Sequence, residues 1–353
     1  MKTALILTAN KWFSPYYNIY ADYLKSNGVP YDVISWNRDL SEESTPLSYS
    51  VRIKSDGWFI KLFSYARYAC FVRRVVRKNH YRNLIVFGSQ LSVFLIPLLL
   101  FSYRRKYIID FRDLSIEQYP VIKTLFSCVL RESYCNVVSS SGFIKYLPKA
   151  DYIVAHNLNM DLARKGLDIT YKPPRRPYEV LTIGGIRDYE SNMEVVKSLA
   201  NSSIYNIKFV GKGYASKKIE ESCLLNSYTN VSFSGYYKKE DEPEIIKSSS
   251  VLNIFYPQIK SHMSAMSNRF YNSLIYKKPM IVTAGSIQGE YVEKYNLGVS
   301  VKDCSDLANM LCSFIVTMDK ELFENNCNIL LAGFIKDNEL FLAELDKFIH
   351  DNN

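Results

Sequence analysis

Three short stretches of the second half carry residue types suited to holding an anionic ligand. Gly184-Gly-Ile-Arg-Asp-Tyr189 joins two glycines, which let a backbone turn tightly and approach a ligand, to an arginine whose planar fork grips phosphate at two points. Gly211-Lys-Gly213 repeats the glycine turn further on, and Lys212 adds a charge. Ser267-Asn-Arg-Phe-Tyr-Asn-Ser-Leu-Ile-Tyr-Lys-Lys-Pro-Met-Ile-Val-Thr283 has the form of a polar loop, a short helix, a Lys-Lys-Pro stop and a buried strand. A helix start beside the carboxyl end of a strand attracts phosphate through its free N–H groups. Each stretch also has a plain alternative. Arg187 can pair with a surface acid, Gly-x-Gly often marks only a tight turn, Asn268 can cap its helix, and Arg269 reaches either phosphate or solvent.

The first half offers fewer candidates. Asp110-Phe-Arg-Asp113 follows a strand, so both carboxylates stand at its carboxyl end. Asp113 is the stronger candidate for orienting a reacting hydroxyl; the alternatives are a salt bridge to Arg112 or a helix cap. Asp110 belongs to the strand end and reads as structural. Asn10-Lys-Trp-Phe-Ser-Pro15, in the first strand-to-helix loop, places Asn10 and Ser14 where an acceptor or a phosphate would come. His156 is a lone histidine and takes a structural role by default. No Asp-x-Asp pair occurs, and Glu240-Asp-Glu242 suits the dipole of a helix start, so no metal is expected. Ser, Cys and His form no nucleophile constellation, which leaves hydrolase chemistry without a foothold.

The elements that must position these residues alternate between strand and helix throughout, the pattern of parallel sheets wrapped by helices. Strands are expected at 3–7, 31–35, 84–87, 107–110, 135–139 and 152–154, then at 179–183, 207–210, 231–235, 251–255, 279–283 and 298–301. The tail beyond Ser305 is expected to be helical. The stiff, polar stretch Ile169-Thr-Tyr-Lys-Pro-Pro-Arg-Arg-Pro177 has no periodicity and reads as a linker. This gives a first Rossmann-like domain over 1–168, a linker over 169–178, a second domain over 179–335, and a closing helix over 336–353 that can cross back to the first.

Taken in order, Gly-Gly-x-Arg, Gly-x-Gly, Val231 to Gly235 and Ser267 to Thr283 resemble the carboxyl domain of glycosyltransferase family four. The resemblance is strong from Glu179 to Val301. It implies the GT-B architecture: an α/β fold of two facing Rossmann-like domains with a cleft between them. It implies that Arg187, with Gly185, neutralises a donor diphosphate, and that Gly211 and Lys212 lie near the nucleobase. A lysine that usually follows the arginine is replaced by Ser191 and Asn192. The family's Glu-x7-Glu, aligned on Pro279, falls on Ser264 and Asn272, so both carboxylates are missing. Asn272 takes the place of the glutamate that holds the ribose hydroxyls, with Asn268 and Arg269 beside the donor. The implied activity is transfer of a sugar from a nucleotide sugar to a saccharide, with retention, without metal or further cofactor. Two other readings stay open: a nucleotide-sugar epimerase of the same fold, and a non-catalytic partner that binds a glycan.

Bulk properties fit this picture. The 353 residues suffice for two cores, and 48% hydrophobic with 22% charged residues excludes a disordered chain. Seven cysteines without a CxxC pair suggest a reducing compartment, and the start Met1 to Thr8 reads as a strand too short for a signal-peptide core. The longest apolar run, Leu91 to Phe101, is too short to span a bilayer. The net charge of +9 is concentrated between Val51 and Arg82, where nine Lys and Arg face one acid, Asp56. Within it a helix is expected, with Phe59, Leu62, Phe63, Ala66, Ala69, Cys70 and Val76 on its core face. It is either a core-packed helix with a solvated basic side or a patch that rests on anionic lipid, aided by Trp58-Phe59-Ile60 and Arg104-Arg105-Lys106. No nucleic-acid-binding pattern accompanies it. The setting these features suit is a cytoplasmic enzyme, peripheral on the membrane, building capsule or O-antigen on a lipid-linked acceptor.

Overall fold

The computed structural model describes residues 2–11, 14–40, 47–53, 57–114 and 119–350. Trp12, Phe13, most of the Ser- and Glu-rich insertion and residues 54–56 of the basic stretch lie outside them, as does the side chain of Trp58. The chain divides into two compact units, residues 1–157 with 337–353, and residues 158–336.

The first unit runs β1 (Thr3–Ile6), α1 (Tyr17–Ser26), β2 (Tyr31–Trp36), β3 (Leu47–Tyr49), α2 (Trp58–Asn79) and β4 (Asn83–Phe87). It continues through α3 (Ser89–Phe94), α4 (Ile96–Ser102), β5 (Tyr107–Phe111), α5 (Pro120–Arg131), β6 (Cys135–Val138) and β7 (Ile153–Val154). The strands form one sheet in the order β3-β2-β1-β4-β5-β6-β7, parallel throughout. Both faces of such a sheet are covered, so its strands are apolar without alternation, as the fully buried β4 and β5 are. The short β3 was not expected. It pairs with β2 from Leu47 to Tyr49, at the end of the polar insertion. The apolar run Leu91 to Phe101 falls on two helices, because Pro97 sits in the first turn of α4 and cannot continue α3.

The α2 helix forms where expected, but its faces differ from the sequence reading. Tyr68, Ala69, Val72, Val75 and Val76 are buried, whereas Phe59 (75%), Phe63 (64%), Leu62 (42%) and Ile60 (43%) are exposed, as is Cys70. The buried residues repeat at helical spacing only from the third turn on; the apolar residues of the first two turns stay exposed among the described residues.

The second unit starts with α6 (Met160–Gly166) and β8 (Tyr178–Ile183), followed by α7 (Tyr189–Leu199), β9 (Tyr205–Val210), α8 (Ser216–Leu225) and β10 (Val231–Ser234). Then come α9 (Glu242–Ser248), β11 (Val251–Ile254), α10 (Lys260–Ser264), α11 (Asn268–Ile275) and β12 (Met280–Thr283). It closes with α12 (Ile287–Tyr295), β13 (Gly298–Val301), α13 (Leu307–Thr317) and α14 (Lys320–His350). Its six strands are parallel in the order β10-β9-β8-β11-β12-β13. Alternate residues feed two cores. Leu181, Leu252, Met280 and Val282 lie on one face with α11, and Val180, Val251 and Ile281 lie on the other with α7 and α13. Burying each such side chain contributes about 1.5–3 kcal/mol.

The boundary at 157/158 precedes the proline-rich stretch that reads as a linker. Helix α6 belongs to the second unit, where Ala163 joins the core and Gly166 lies so close to α11 that a Cβ would stand 3.1 Å from Ile275. In the first unit, the last turns of α14 complete a core with β1, α1 and β4: Phe341, Leu345, Phe348 and Ile349 pack with Leu5, Tyr20, Leu24 and Ile85.

Candidate functional site

The second sheet has a switch point between β8 and β11: from β8 the chain steps out through β9 to β10, then returns to β11 on the other side. Ligands of open α/β sheets bind outside the carboxyl ends of strands at such a point. A pocket of about 380 Å³ lies there, lined by Ile183, Gly184 and Gly185 after β8, by Tyr256 after β11, and by the start of α11. It is built entirely from the second unit.

The two strands at the switch point pair only through Val180–Val251 and Leu181–Leu252, and beyond that they part. Arg269 fills the gap. Its guanidinium donates to the carbonyls of Ile183 (2.6 Å), Asn253 (3.1 Å) and Gly185 (3.2 Å), and the residue is 93% buried, its relative exposure being 7%. Asn253 adds a bridge from its amide to the Thr182 hydroxyl at 2.9 Å. Acceptors that the splayed strands would leave orphaned are thereby satisfied. Arg269, expected beside the donor or in solvent, lines the pocket with its fork already committed to backbone. The geometry gives it the work of holding the Gly184–Gly185 turn against β11.

Arg187 differs. It is exposed at the rim of the pocket, lies over Gly185, and has no ion-pair partner among the described residues. Its guanidinium is available to a ligand.

Gly211 and Lys212 are not among the pocket's lining residues, and the two glycines of that turn have a backbone reason to be there. At Gly211, φ is +129°, and a Cβ would meet the Gly184 carbonyl oxygen at 2.1 Å; at Gly213 it would meet that of Ile186 at 2.0 Å. Gly184 N–H donates to Val210 (2.9 Å) and Gly211 N–H to Gly235 (2.8 Å), so three strand-end loops are zipped side by side. The structure thus makes Gly-x-Gly the seat on which the Gly184 turn rests.

The α11 helix is capped by Ser267, whose hydroxyl accepts from Phe270 N–H at 3.3 Å and donates to Gln288 at 2.8 Å. The cap expected at Asn268 thus falls one residue earlier. Phe270, Leu274 and Ile275 face the core, which leaves Asn268 and Asn272, four residues apart, on the face toward the pocket. The stop is structural: Lys277 adopts φ +53° and donates to Gly166 (2.6 Å) and Leu274 (3.1 Å), and Lys278 donates to Lys247 (2.8 Å) and Ser249 (2.6 Å).

Several lining residues were not read as site candidates in the sequence: Tyr237, Lys239, Glu242, Tyr256 and His262. Glu242 was assigned to a helix dipole. The structure makes it the first residue of α9 and turns its carboxylate into the pocket, 13% exposed, where Asn272 donates to Oε1 at 3.1 Å and Tyr237 to Oε2 at 2.8 Å. The proximity of loops across three strands, which sequence spacing does not encode, brings it there. His262 Nδ1 is buried without a hydrogen-bond partner at the same site.

In the first unit, Asp110 is fully buried and forms a two-point ion pair with Arg112 (2.5 and 2.7 Å); Tyr20 donates to it at 2.6 Å. Arg112 also donates to Ala155 at 2.8 Å and lies over the Tyr16 ring. The Arg112 bridge therefore goes to Asp110, a structural anchor between β5 and β7, and not to Asp113. Asp113 is exposed and accepts the Leu114 N–H at 2.8 Å. Asn10 and Ser14 are buried, with Tyr16 donating to Ser14 at 3.2 Å. His156 is buried against Asp337 (3.1 Å), and Asn338 clamps its backbone at both ends (2.7 and 3.1 Å).

No family model and no curated protein sequence matches the chain. Solved structures do. Sucrose-phosphate synthase from Thermosynechococcus elongatus superposes with a TM-score of 0.70 at 14% identity over 100% of both chains. The lipopolysaccharide outer core galactosyltransferase WaaB gives 0.65 at 13% identity, again over 100% of both. HepE from Anabaena, solved with UDP, gives 0.62 at 12% identity over 98% of this chain and 99% of the other. The fold is thus that of the GT-B glycosyltransferases, two parallel-sheet α/β domains.

Proposed function

We propose that the chain is a glycosyltransferase that takes its sugar from a nucleotide sugar bound in the second unit's pocket. The observation that carries this reading is the placement of a free guanidinium, Arg187, beside the Gly184–Gly185 turn and the start of α11, at the switch point of a parallel sheet. A diphosphate meets positive charge there, and Glu242, Asn272 and His262 offer hydrogen bonds to the sugars on either side. HepE, which shares the fold, was solved with UDP, with UDP and glucose, and with UDP-glucose. On this reading no divalent metal is needed, because Arg187, Lys239 and the helix start supply the charge. Asp113 of the first unit, which is exposed, takes the acceptor, a saccharide carried on a lipid, and the reaction retains the anomeric configuration; Asn10 and Ser14, both buried, shape the loop after β1.

The exposed start of α2 supports a place on the membrane surface in bacterial polysaccharide assembly. Phe59, Ile60, Leu62 and Phe63 stand in solvent on a helix whose charges are all basic; Lys61, Arg67, Arg74, Arg77 and Lys78 are exposed, and Arg73 is half-buried. Such a helix lies in the headgroup region, where each basic residue contributes about 1 kcal/mol on anionic lipid.

A thermal-shift screen of nucleotide sugars tests the donor reading. At about 100 times its dissociation constant a true donor stabilises the fold by about 2.7 kcal/mol. Incubation with that donor and a saccharide acceptor then releases free nucleotide. Failure of every nucleotide sugar to shift the melting curve overturns the reading.

A further inference from the structure

We propose that Glu242 is the carboxylate that holds the donor's ribose hydroxyls, and that it is delivered to the pocket from α9 while Asn272 of α11 fixes its orientation. The proposal rests on the nucleotide-sugar reading above and goes one step further, to a residue that sequence spacing places elsewhere.

Three donors hold the carboxylate: Asn272 at 3.1 Å and Lys239 at 2.6 Å on Oε1, and Tyr237 at 2.8 Å on Oε2. An ionised carboxylate has about four acceptor positions, so three donors leave room on Oε2. One of the three is easily displaced. The Lys239 side chain is 75% exposed and its ion pair with Glu242 is a solvated one of little strength, whereas Asn272 and Tyr237 are half-buried. When Lys239 swings away, one acceptor position on each oxygen becomes available. That is the demand of a vicinal diol, which presents two O–H donors side by side.

Position agrees with this chemistry. In parallel-sheet nucleotide sites, a diphosphate rests at a glycine turn and helix start, and an acidic residue takes the ribose hydroxyls next to it. Here Arg187, Gly184 and Gly185 form the first part, and Glu242 lines the same pocket. Asp188 is the other carboxylate of the lining, but it follows Arg187 directly, and a phosphate drawn to that arginine would meet its negative charge. The local fold secures Glu242: α9 opens on it, with Pro243 as the next residue, and the turn Lys239–Asp241 brings the chain from β10 to the pocket. Asn272 then needs no charge. A glutamate there would face Glu242 across a hydrogen-bond distance, and two carboxylates so placed repel.

Calorimetric titration of the wild-type chain and Glu242→Gln with UDP, CDP, GDP and ADP tests the proposal. The nucleotide that binds is then compared with its 2′,3′-dideoxy analogue. Glu242→Gln should bind the ribonucleotide ten- to a hundredfold more weakly and the dideoxy analogue within about twofold of wild type. Equal losses for both ligands would show a structural role only, and no loss for either would place the ribose elsewhere; both outcomes overturn the proposal while leaving the donor reading intact. Absence of nucleotide binding by the wild-type chain overturns the donor reading itself, and this proposal with it. Should Glu242→Gln melt far below wild type, the exchange Glu242→Gln with Asn272→Glu moves the carboxylate across its own hydrogen bond. It should restore discrimination between the ribo and dideoxy forms, and a double variant blind to the hydroxyls counts against the proposal.

Discussion

Gly211 is in backbone contact with Gly184: a methyl group on the former would stand 2.1 Å from the carbonyl oxygen of the latter. The Gly184–Gly185 turn that lines the pocket is therefore shaped by a residue outside it. Gly211→Ala must open the two loops, and an alanine held at φ +129° costs about 1–3 kcal/mol in strain alone. We expect a melting temperature several degrees lower and weaker nucleotide binding, measured by calorimetry. Gly185→Ala is the control, since a Cβ there meets only the flexible Arg187 at 3.4 Å.

The two arginines of the pocket should behave oppositely. Arg187→Ala removes an exposed, unpaired guanidinium and should leave stability within about 0.5 kcal/mol of wild type while nucleotide affinity drops by about 2–3 kcal/mol. Arg269→Met leaves three carbonyls without their donor, at about 1–3 kcal/mol for each that water cannot reach. Urea unfolding and nucleotide titration on both variants separate the roles. A folded, stable Arg269→Met protein with reduced nucleotide binding would show that the arginine serves the ligand after all.

The α2 surface predicts binding to vesicles containing anionic lipid, weakening steeply as salt rises. Phe59→Ser with Phe63→Ser should release the protein from vesicles, and so should Gln at Lys61, Arg67, Arg74 and Arg77, all exposed. Arg73 is left in place, because it donates to the Phe94 carbonyl of α3. Vesicle flotation measures the outcome. Equal binding to neutral vesicles, or none to either, would return α2 to a solvated helix.

Stability should respond to alkali through the Lys-Lys stop. Burial pushes Lys278 down to about 8 from 10.5, and burial lowers Lys277 in the same direction. Between those two values the unfolded chain holds a proton that the folded chain has released, so stability rises with pH from about 8 and the penalty is fully present below it. Buried tyrosines such as Tyr68, raised by burial, oppose this once free phenols ionise above about pH 10. Cys135, Cys223, Cys304 and Cys327, also raised by burial, oppose it already as free thiols ionise above about pH 8.5, so the test is a difference between proteins: the urea midpoint of Lys278→Met minus that of wild type should fall from pH 7.5 through 8.5 to 9.5.

Strand and helix placement in the second half was legible because both faces of the sheet are buried; the strand order was not. Runs such as Val251 to Phe255 and Pro279 to Thr283 admit no other element of that length. Arg187 was legible as a pocket-lining residue for a related reason: it follows the end of β8. What escaped was set by contacts between loops. Glu242 meets Asn272 from thirty positions away in sequence, |i−j| being 30, and the same acidic run has a sufficient local explanation at a helix start. Arg269 looks like a ligand arginine until the splay of β8 and β11 is known. The α2 faces were misread because its first two turns have the spacing of a buried helix yet stay exposed among the described residues.

The closing turns of α14 have a bearing on the order in which the chain can fold. The core of the first unit takes in Leu5 and Tyr20 near the start of the sequence and Phe341, Leu345 and Phe348 near its far end, while the second unit is one uninterrupted segment, 158–336. On the ribosome, where domains generally form as they emerge, the first unit waits with one wall missing until residue 349 has been made. The second unit, though synthesised later, can reach its native state first.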